Sequence, residues 1–266
     1  MNREGVIPGI HAVREALIHQ GMKIREVWIK KGKHGDRVEE ILHMAKTLAI
    51  PIHWKKGSDL DQVLSGVAHQ GVIALSEPFS YVALDELLAC CRKIRPPRLI
   101  LAVDHITDDG NLGALIRTAV FFGVTGLLLP RDRSAGLTGK ILKRSSGAFL
   151  HLPTTRVVNF GRALDRLKKE GFWVIGAAER GQSSIYTFDW NRDTVLVLGS
   201  ENKGLSKLVE KKCDHTVCIP SKGPIPSLNV SVAGGIILSE IIRQRHRSPD
   251  YPDRAVSSLK PGDTRA

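Results

Sequence analysis

Five side chains able to orient a polar reaction fall in three short stretches. DHITDDGNLGALIRTA (104–119) carries Asn111 and Arg117, LVLGSENKGL (196–205) carries Glu201, and SKGPIPSLNVSVAGG (221–235) carries Ser227 and Asn229. Arg117 is surrounded in sequence by Leu112, Ala114, Leu115, Ile116, Ala119 and Val120. A guanidinium in so apolar a helix is costly unless it is paired or faces a site. Glu201 offers the opposite charge, so a buried structural ion pair explains the pattern as well as an anion-orienting site does. Asn111 stands where a helix N-cap belongs, and Asn229 or Ser227 can satisfy free N–H groups at the start of another helix. Gly199 lets a ligand approach the backbone, or simply flanks a turn with a solvated acid. Pro224, Pro226 and Gly223 make a stiff loop before Ser227 that capping alone does not require.

These stretches lie between elements of alternating type. RLILAVD, VTGLLLP, FWVIGAA, TVLVLGS and HTVCIP read as strands. LGALIRTAVFFG, LTGKILKRSSG, FGRALDRLKKEG, LSKLVEKK and VSVAGGIILSEIIRQR read as helices. Branched apolar runs alternating with helices predict an α/β unit over 98–246, with a parallel sheet covered on both faces. Ligands of such sheets bind at loops beyond the carboxyl ends of the strands, where the three stretches fall. Residues 1–77 predict a smaller α/β domain, with helices in GIHAVREALIHQ and DRVEEILHMAKTLAI and strands in IREVWIKK, IPIHW and GVIALS. Residues 78–97 read as a linker holding one helix that ends at Pro96-Pro97. The polar, proline-punctuated stretch 247–266 is expected to be disordered.

Composition narrows the class. The chain has 266 residues, 42% hydrophobic and 25% charged, which suits one or two globular domains. Net charge is +12, and the first 80 residues hold 11 Lys and Arg against 9 Asp and Glu, so most of the excess lies beyond them. That balance points to a polyanion such as nucleic acid. Apolar runs are too short for a membrane span and the N-terminus lacks a secretory apolar region, so a cytoplasmic protein is expected, with no membrane partner. The four cysteines have no zinc-like spacing and read as reduced thiols, with no metal implied. The sequence has no GxGxxG after a strand, no GxxxxGK[ST] loop and no GxSxG elbow, which argues against a dehydrogenase, an NTPase or a serine hydrolase.

NLGALIRTA (111–119), LGSENKGL (198–205) and IPSKGPIPSLNVSVAGGI (219–236), in this order in one basic α/β unit, resemble the SpoU (TrmH-like) family of RNA ribose 2'-O-methyltransferases. PGIHAVREAL and HQGVIAL resemble that family's small substrate-binding domain, which is similar to the L30e RNA-binding fold. The resemblance implies a deep trefoil knot of the SPOUT type in the C-terminal domain, a homodimer, and S-adenosyl-L-methionine as cofactor. Gly199, Ile219 and Leu228 would lie against the cofactor, largely through backbone groups. Asn111, Arg117, Glu201, Ser227 and Asn229 match the family's polar set, with Arg117 its proposed catalytic residue. The departures are Asp108-Asp109-Gly110, where the family often has proline, and Ser221, where related enzymes often have methionine. The two-domain layout is similar to that of members methylating a guanosine in 23S rRNA, so the expected partner is 23S rRNA or a large-subunit assembly intermediate. A tRNA guanosine 2'-O-methyltransferase and a non-catalytic ribosome-associated RNA-binding protein are the alternatives. Arg stays protonated to pH above about 12, so Arg117 either accepts a proton with help from a phosphate or orients substrate by charge-assisted bonds. The second role is the more natural for a guanidinium.

Overall fold

A computed structural model describes residues 5–246 except 20, 21, 65, 66, 133, 202 and 226. The expected disordered tail, 247–266, lies outside the described residues.

The N-terminal unit is a four-stranded sheet in the order β1 (Val6–Pro8), β4 (Val72–Ser76), β2 (Ile24–Lys30), β3 (Ile52–Lys55). Only β2 and β3 are parallel; the other two pairs are antiparallel. Helices α1 (Ile10–Ile18) and α2 (Asp36–Thr47) cover it, and α3 (Gly57–Val63) follows β3. In α2, Val38, Ile41 and Ala45 recur at helical spacing and are buried against Val27 and Ile29 of β2.

The second sheet has seven strands, and every pairing in it is parallel. Its order is β7 (Thr154–Val157), β6 (Gly126–Pro130), β5 (Leu99–Val103), β10 (Thr194–Leu198), β8 (Trp173–Ala177), β11 (His215–Cys218), β9 (Ser183–Ser184). β5, β6 and β10 are buried throughout, which is why they read as unbroken apolar runs. Within β5 the two faces separate with period two. Leu99, Leu101 and Val103 join the core beneath α5 (Asp109–Phe121) and α9 (Val230–His246). Ile100 and Ala102 join the opposite core, with Phe160, Leu164 and Leu167 of α7 (Phe160–Lys169) and Val209 of the short α8 (Lys207–Glu210). The helix expected in the 78–97 segment is α4 (Leu84–Arg92); its Leu88 and Cys91 belong to that same core. Sequence reading passed over β1, β7, β9 and α3. In β7, Thr154 and Thr155 are buried polar residues with no apolar alternation to betray a strand.

Three packing features place the site. β10 enters the sheet between β5 and β8, so the loops after all three strands gather at one edge. Next, α9 packs closely on α5 and β10. A Cβ on Gly234 would stand 2.5 Å from Leu115 Cδ1 and 2.8 Å from Leu198 Cδ1, so any larger residue there would push both leucine side chains aside. Last, Arg245, 2% exposed at the end of α9, donates to the carbonyls of Trp190 (3.2 Å), Pro97 (3.0 Å), Arg98 (3.3 Å) and Arg192 (2.9 Å). Those bonds satisfy its planar guanidinium fork and tie α9 to segments that precede the strands.

The N-terminal unit docks through α6 (Gly139–Arg144) and the short 3-10 turn Ala148–His151. A Cβ on Gly139 would lie 2.0 Å from Val6 O, so this approach requires glycine. Ile7, Ala12 and Val13 share one apolar core with Ile141, Leu142 and Phe149, and His151 faces Glu15 at 3.3 Å. Among the described residues no helix is long and apolar enough to cross a membrane.

Candidate active site

A cleft of about 970 Å³ opens beyond the carboxyl ends of β8, β10 and β11. Its walls are 177–180 after β8, 198–201 and 203–205 around the end of β10, and 217, 219–221, 223–225, 227 and 228 from β11 onward. Leu198, Ile219, Leu228 and Val230 give it an apolar side, while Glu179, Arg180, Lys203 and Glu210 add charged groups. Gly199, Ile219 and Leu228, the three expected cofactor contacts, all line it, and so do Glu201 and Ser227. Apolar walls beside irregular glycine- and proline-rich backbone fit a cofactor with an aromatic base and a charged amino-acid end.

The 199–206 loop is closed on itself. Ser200 N–H donates to Gly204 O at 3.1 Å and Gly204 N–H to Ser200 O at 2.8 Å. Gly199 lies so tightly under this ring that a Cβ there would stand 2.1 Å from the Gly204 carbonyl carbon. Gly199 is therefore required by the loop's own closure. Asp104, at the end of β5 and 1% exposed, anchors the far side of the loop. Its Oδ2 accepts the Ser206 N–H at 2.7 Å, and its Oδ1 is 2.5 Å from His105 Nδ1. Sequence reading missed Asp104, because its partner lies 102 positions away.

The polar residues form a chain of amides. Asn229 is the cap of α9: its Oδ1 accepts the N–H groups of Ser231 (2.9 Å) and Val232 (3.4 Å). That fixes which way the amide points, leaving Nδ2 as the outward donor. Asn229 Nδ2 donates to Asn111 Oδ1 at 2.9 Å, and Asn111 Nδ2 donates to Glu201 Oε1. Each donor meets an acceptor along the row, which ends on a carboxylate that lines the cleft. Ser227 is exposed and lines the same cleft. Ser221 Oγ lies 3.3 Å from both the Gly223 and Ile225 carbonyls, so it folds the stiff loop onto itself.

Two expectations from sequence are corrected. Asn111 is not the cap of α5; Asp108 is, accepting the Asn111 N–H at 2.7 Å. The helix starts earlier than the apolar pattern suggested, which frees the Asn111 side chain for the chain of amides. Nor does Glu201 pair with Arg117. Arg117 is exposed and its Nη1 donates to Ser146 Oγ at 3.3 Å. At about 100° per residue, six residues put Arg117 roughly 120° around the helix from Asn111, so one acid cannot serve both. Arg117 instead shares an outward stripe with Ala114 and Phe121, the latter 82% exposed.

No group of three or more metal-ligating side chains occurs among the described residues. The four cysteines are free. Burial lifts the Cys91 thiol to about 11 and the Cys213 thiol to about 12, so neither supplies a thiolate near neutral pH.

The comparisons agree with this geometry. Residues 98–239 match the SpoU rRNA Methylase family, and residues 6–82 match the model for RNA 2'-O ribose methyltransferase substrate binding. The chain is 37% identical over 237 residues to the 23S rRNA (guanosine-2'-O-)-methyltransferase RlmB of Pseudomonas aeruginosa, covering 89% of this chain and 95% of that one. Among solved structures, the SpoU methyltransferase AviRb from Streptomyces viridochromogenes with AdoMet superposes with a TM-score of 0.77 at 26% identity, over 91% of each chain. A TrmH/SpoU tRNA modifying enzyme of A. aeolicus gives a TM-score of 0.51 at 31% identity, and covers 61% of this chain and 84% of its own. The chain belongs to the SpoU rRNA methylase family.

Proposed function

We propose that this protein transfers the methyl group of S-adenosylmethionine to the ribose 2'-hydroxyl of a guanosine in 23S rRNA, as a free RNA or in an assembling large subunit. The observation that carries the reading is the Asn229–Asn111–Glu201 chain ending on the large cleft. The two-part match to an rRNA-methylating relative over nearly its whole length favours rRNA over tRNA. In this reading residues 1–77 collect the RNA, 78–97 join the two parts, and 98–246 carry the knotted catalytic unit. The C-terminal loops hold the cofactor, with Gly199, Ile219 and Leu228 against it.

The bound cofactor supplies an electrophilic methyl group on a positively charged sulfur. The remaining work falls to the chain. In-line displacement needs the attacking oxygen, the methyl carbon and sulfur aligned, and orientation of this kind contributes several kcal/mol. Asn111, Asn229 and Ser227 present amide and hydroxyl groups that hold the ribose, and Glu201 fixes the Asn111 amide. Arg117 faces outward and away from this row, so it would act on substrate held by a second copy, where its charge-assisted bonds orient the adjacent phosphate and the hydroxyl. The outward stripe of Arg117 and Phe121 suits contact with a second copy, which makes a homodimer the working unit.

The test is transfer of labelled methyl to total rRNA and total tRNA from cells lacking this gene. Label in 23S rRNA is expected. Label in tRNA alone would move the substrate, and cofactor binding without label in either naked RNA would move it to the pre-ribosomal particle. Failure to bind the cofactor would leave a non-catalytic RNA-binding protein.

A further inference from the structure

We propose that a continuous cationic track carries the RNA backbone from the carboxyl ends of β2 and β3, across Gln70 and Gly71, to Lys143 and Arg144 on α6 and so to the first turn of α5. This rests on the RNA-methylating reading above and names the surface that the RNA occupies.

The track starts where two parallel strands end side by side. Lys30 and Lys55 are register partners in β2 and β3, and Lys31 N–H donates to Lys55 O at 2.8 Å, which brings Lys56 beside them. Lys30 N–H donates to Gly71 O at 2.8 Å, and a Cβ on Gly71 would lie 3.3 Å from Cδ of Lys33. The lysine cluster is therefore packed onto the 69–71 turn.

That turn leads to the other half of the molecule. Gln70 Oε1 accepts the Ile10 N–H at 3.2 Å, and a Cβ on Gly9 would stand 3.3 Å from the same oxygen and 4.0 Å from Cγ of Lys143. At the next residue, the Arg144 guanidinium lies over α5: a Cβ on Gly110 would be 3.1 Å from its Nη1. Gly110 directly precedes Asn111, the middle member of the amide chain. Each step is a direct packing neighbour of the next.

The charges on this path are available. Lys30, Lys56 and Arg144 are exposed, and Lys33, Lys55 and Lys143 are half-buried. None of the six has an ion-pair partner among the described residues, although Lys55 Nζ lies 4.8 Å from the centre of the Trp28 ring, whereas Arg14, Arg92, Lys168 and Lys212 elsewhere are all paired with carboxylates. Three nearby acids hold other groups: Asp59 accepts the Lys56 backbone N–H at 3.0 Å, Asp61 faces His69 at 3.0 Å, and Asp108, beside Gly110, accepts the Asn111 N–H at 2.7 Å. A row of unpaired cations with local acids already satisfied matches the evenly spaced phosphates of a nucleic-acid strand, and not a single small anion.

The test is binding of unmodified 23S rRNA transcript by the full-length protein over a range of KCl concentrations. Each phosphate contact contributes a slope of about 0.7 to 0.9 in log affinity against log salt. The combined variant Lys30→Gln, Lys33→Gln, Lys143→Gln and Arg144→Gln is expected to lower the slope by roughly 3 and to weaken binding at least about tenfold near 150 mM salt. Single Lys33→Gln and Lys143→Gln variants, each losing about one contact, give the same reading should the combined variant fold poorly. A control carrying Lys46→Gln, Lys169→Gln and Lys211→Gln removes nearly as much charge away from the path, and should keep the parent slope. Equal loss in track and control variants would overturn the track, and so would an unchanged slope in the track variants. The function reading fails separately: a parent protein that binds RNA with the full slope but transfers no methyl refutes the chemistry and leaves the track standing.

Discussion

Asn229 donates to Asn111 at 2.9 Å, joining the first turn of α9 to the first turn of α5 across 118 positions of sequence. Because Asn229 Oδ1 is held by the α9 backbone, this bond has one direction only, and it aims the Asn111 amide at Glu201. A helix cap thus sets the orientation of a polar group at the cleft. Asn111→Ala should lower kcat by about 100-fold or more, as loss of a transition-state donor does, while cofactor affinity changes less than about threefold. Single-turnover kinetics beside a cofactor titration would show it. Equal losses in both would assign Asn111 to cofactor binding instead.

Gly199 allows a second check on the loop. Gly199→Ala puts a methyl group into the backbone of Gly204 and must open the 199–206 ring. Cofactor affinity should fall at least about tenfold, with thermal stability reduced by about 1–3 kcal/mol, the usual cost of overpacking. Gly161→Ala in α7, where a Cβ meets nothing nearer than 3.8 Å, should be neutral or gain up to about 1 kcal/mol from helix propensity.

Sequence alone reveals more of the sheet than of the site. Runs such as LILAV and TVLVL announce buried strands because both faces are covered, and period-two separation into two cores follows from geometry. The buried threonines of β7 carry no such signal. Gly199, Ile219 and Leu228, singled out by their motifs, all line the cleft. The Arg117–Glu201 pairing is a misreading, because complementary charge says nothing about angular position on a helix; Asn111 takes that acid instead. Asp104 was invisible for a related reason, since an acid at a strand end has meaning only once Ser206 is beside it.

Arg245 should prove the most sensitive position remote from the cleft. Four backbone carbonyls accept from one guanidinium, and three of them also take a second donor: Arg98 O from Thr194 N–H, Trp190 O from Arg192 N–H and Arg192 O from the Thr194 hydroxyl. Arg245→Leu keeps volume but leaves these acceptors without that donor, and should cost about 3 kcal/mol or more in urea unfolding. Arg245→Lys offers a single point charge and should recover only part of that.

The raised thiols give a pH signature. An unfolded cysteine loses its proton near pH 8.5, whereas the folded Cys213 holds it to about 12. Above about pH 8.5 the unfolded chain binds fewer protons than the folded one, so stability from this group is present below that pH and declines as pH rises toward the folded value. Denaturation of Cys213→Ala at pH about 7.5 and about 10 should show a shallower decline than the parent. An identical decline would mean that Cys213 is not shielded in solution.

The central claim is methylation at a ribose 2'-hydroxyl, and alkaline digestion of the labelled rRNA product tests it most directly. Alkali cleaves RNA through attack by the free 2'-hydroxyl, so a ribose-methylated residue keeps its 3' phosphodiester bond. The expected result is label in an alkali-resistant dinucleotide that begins with 2'-O-methylguanosine, from 23S rRNA. Label released as a mononucleotide would place the methyl group on a base and contradict the account.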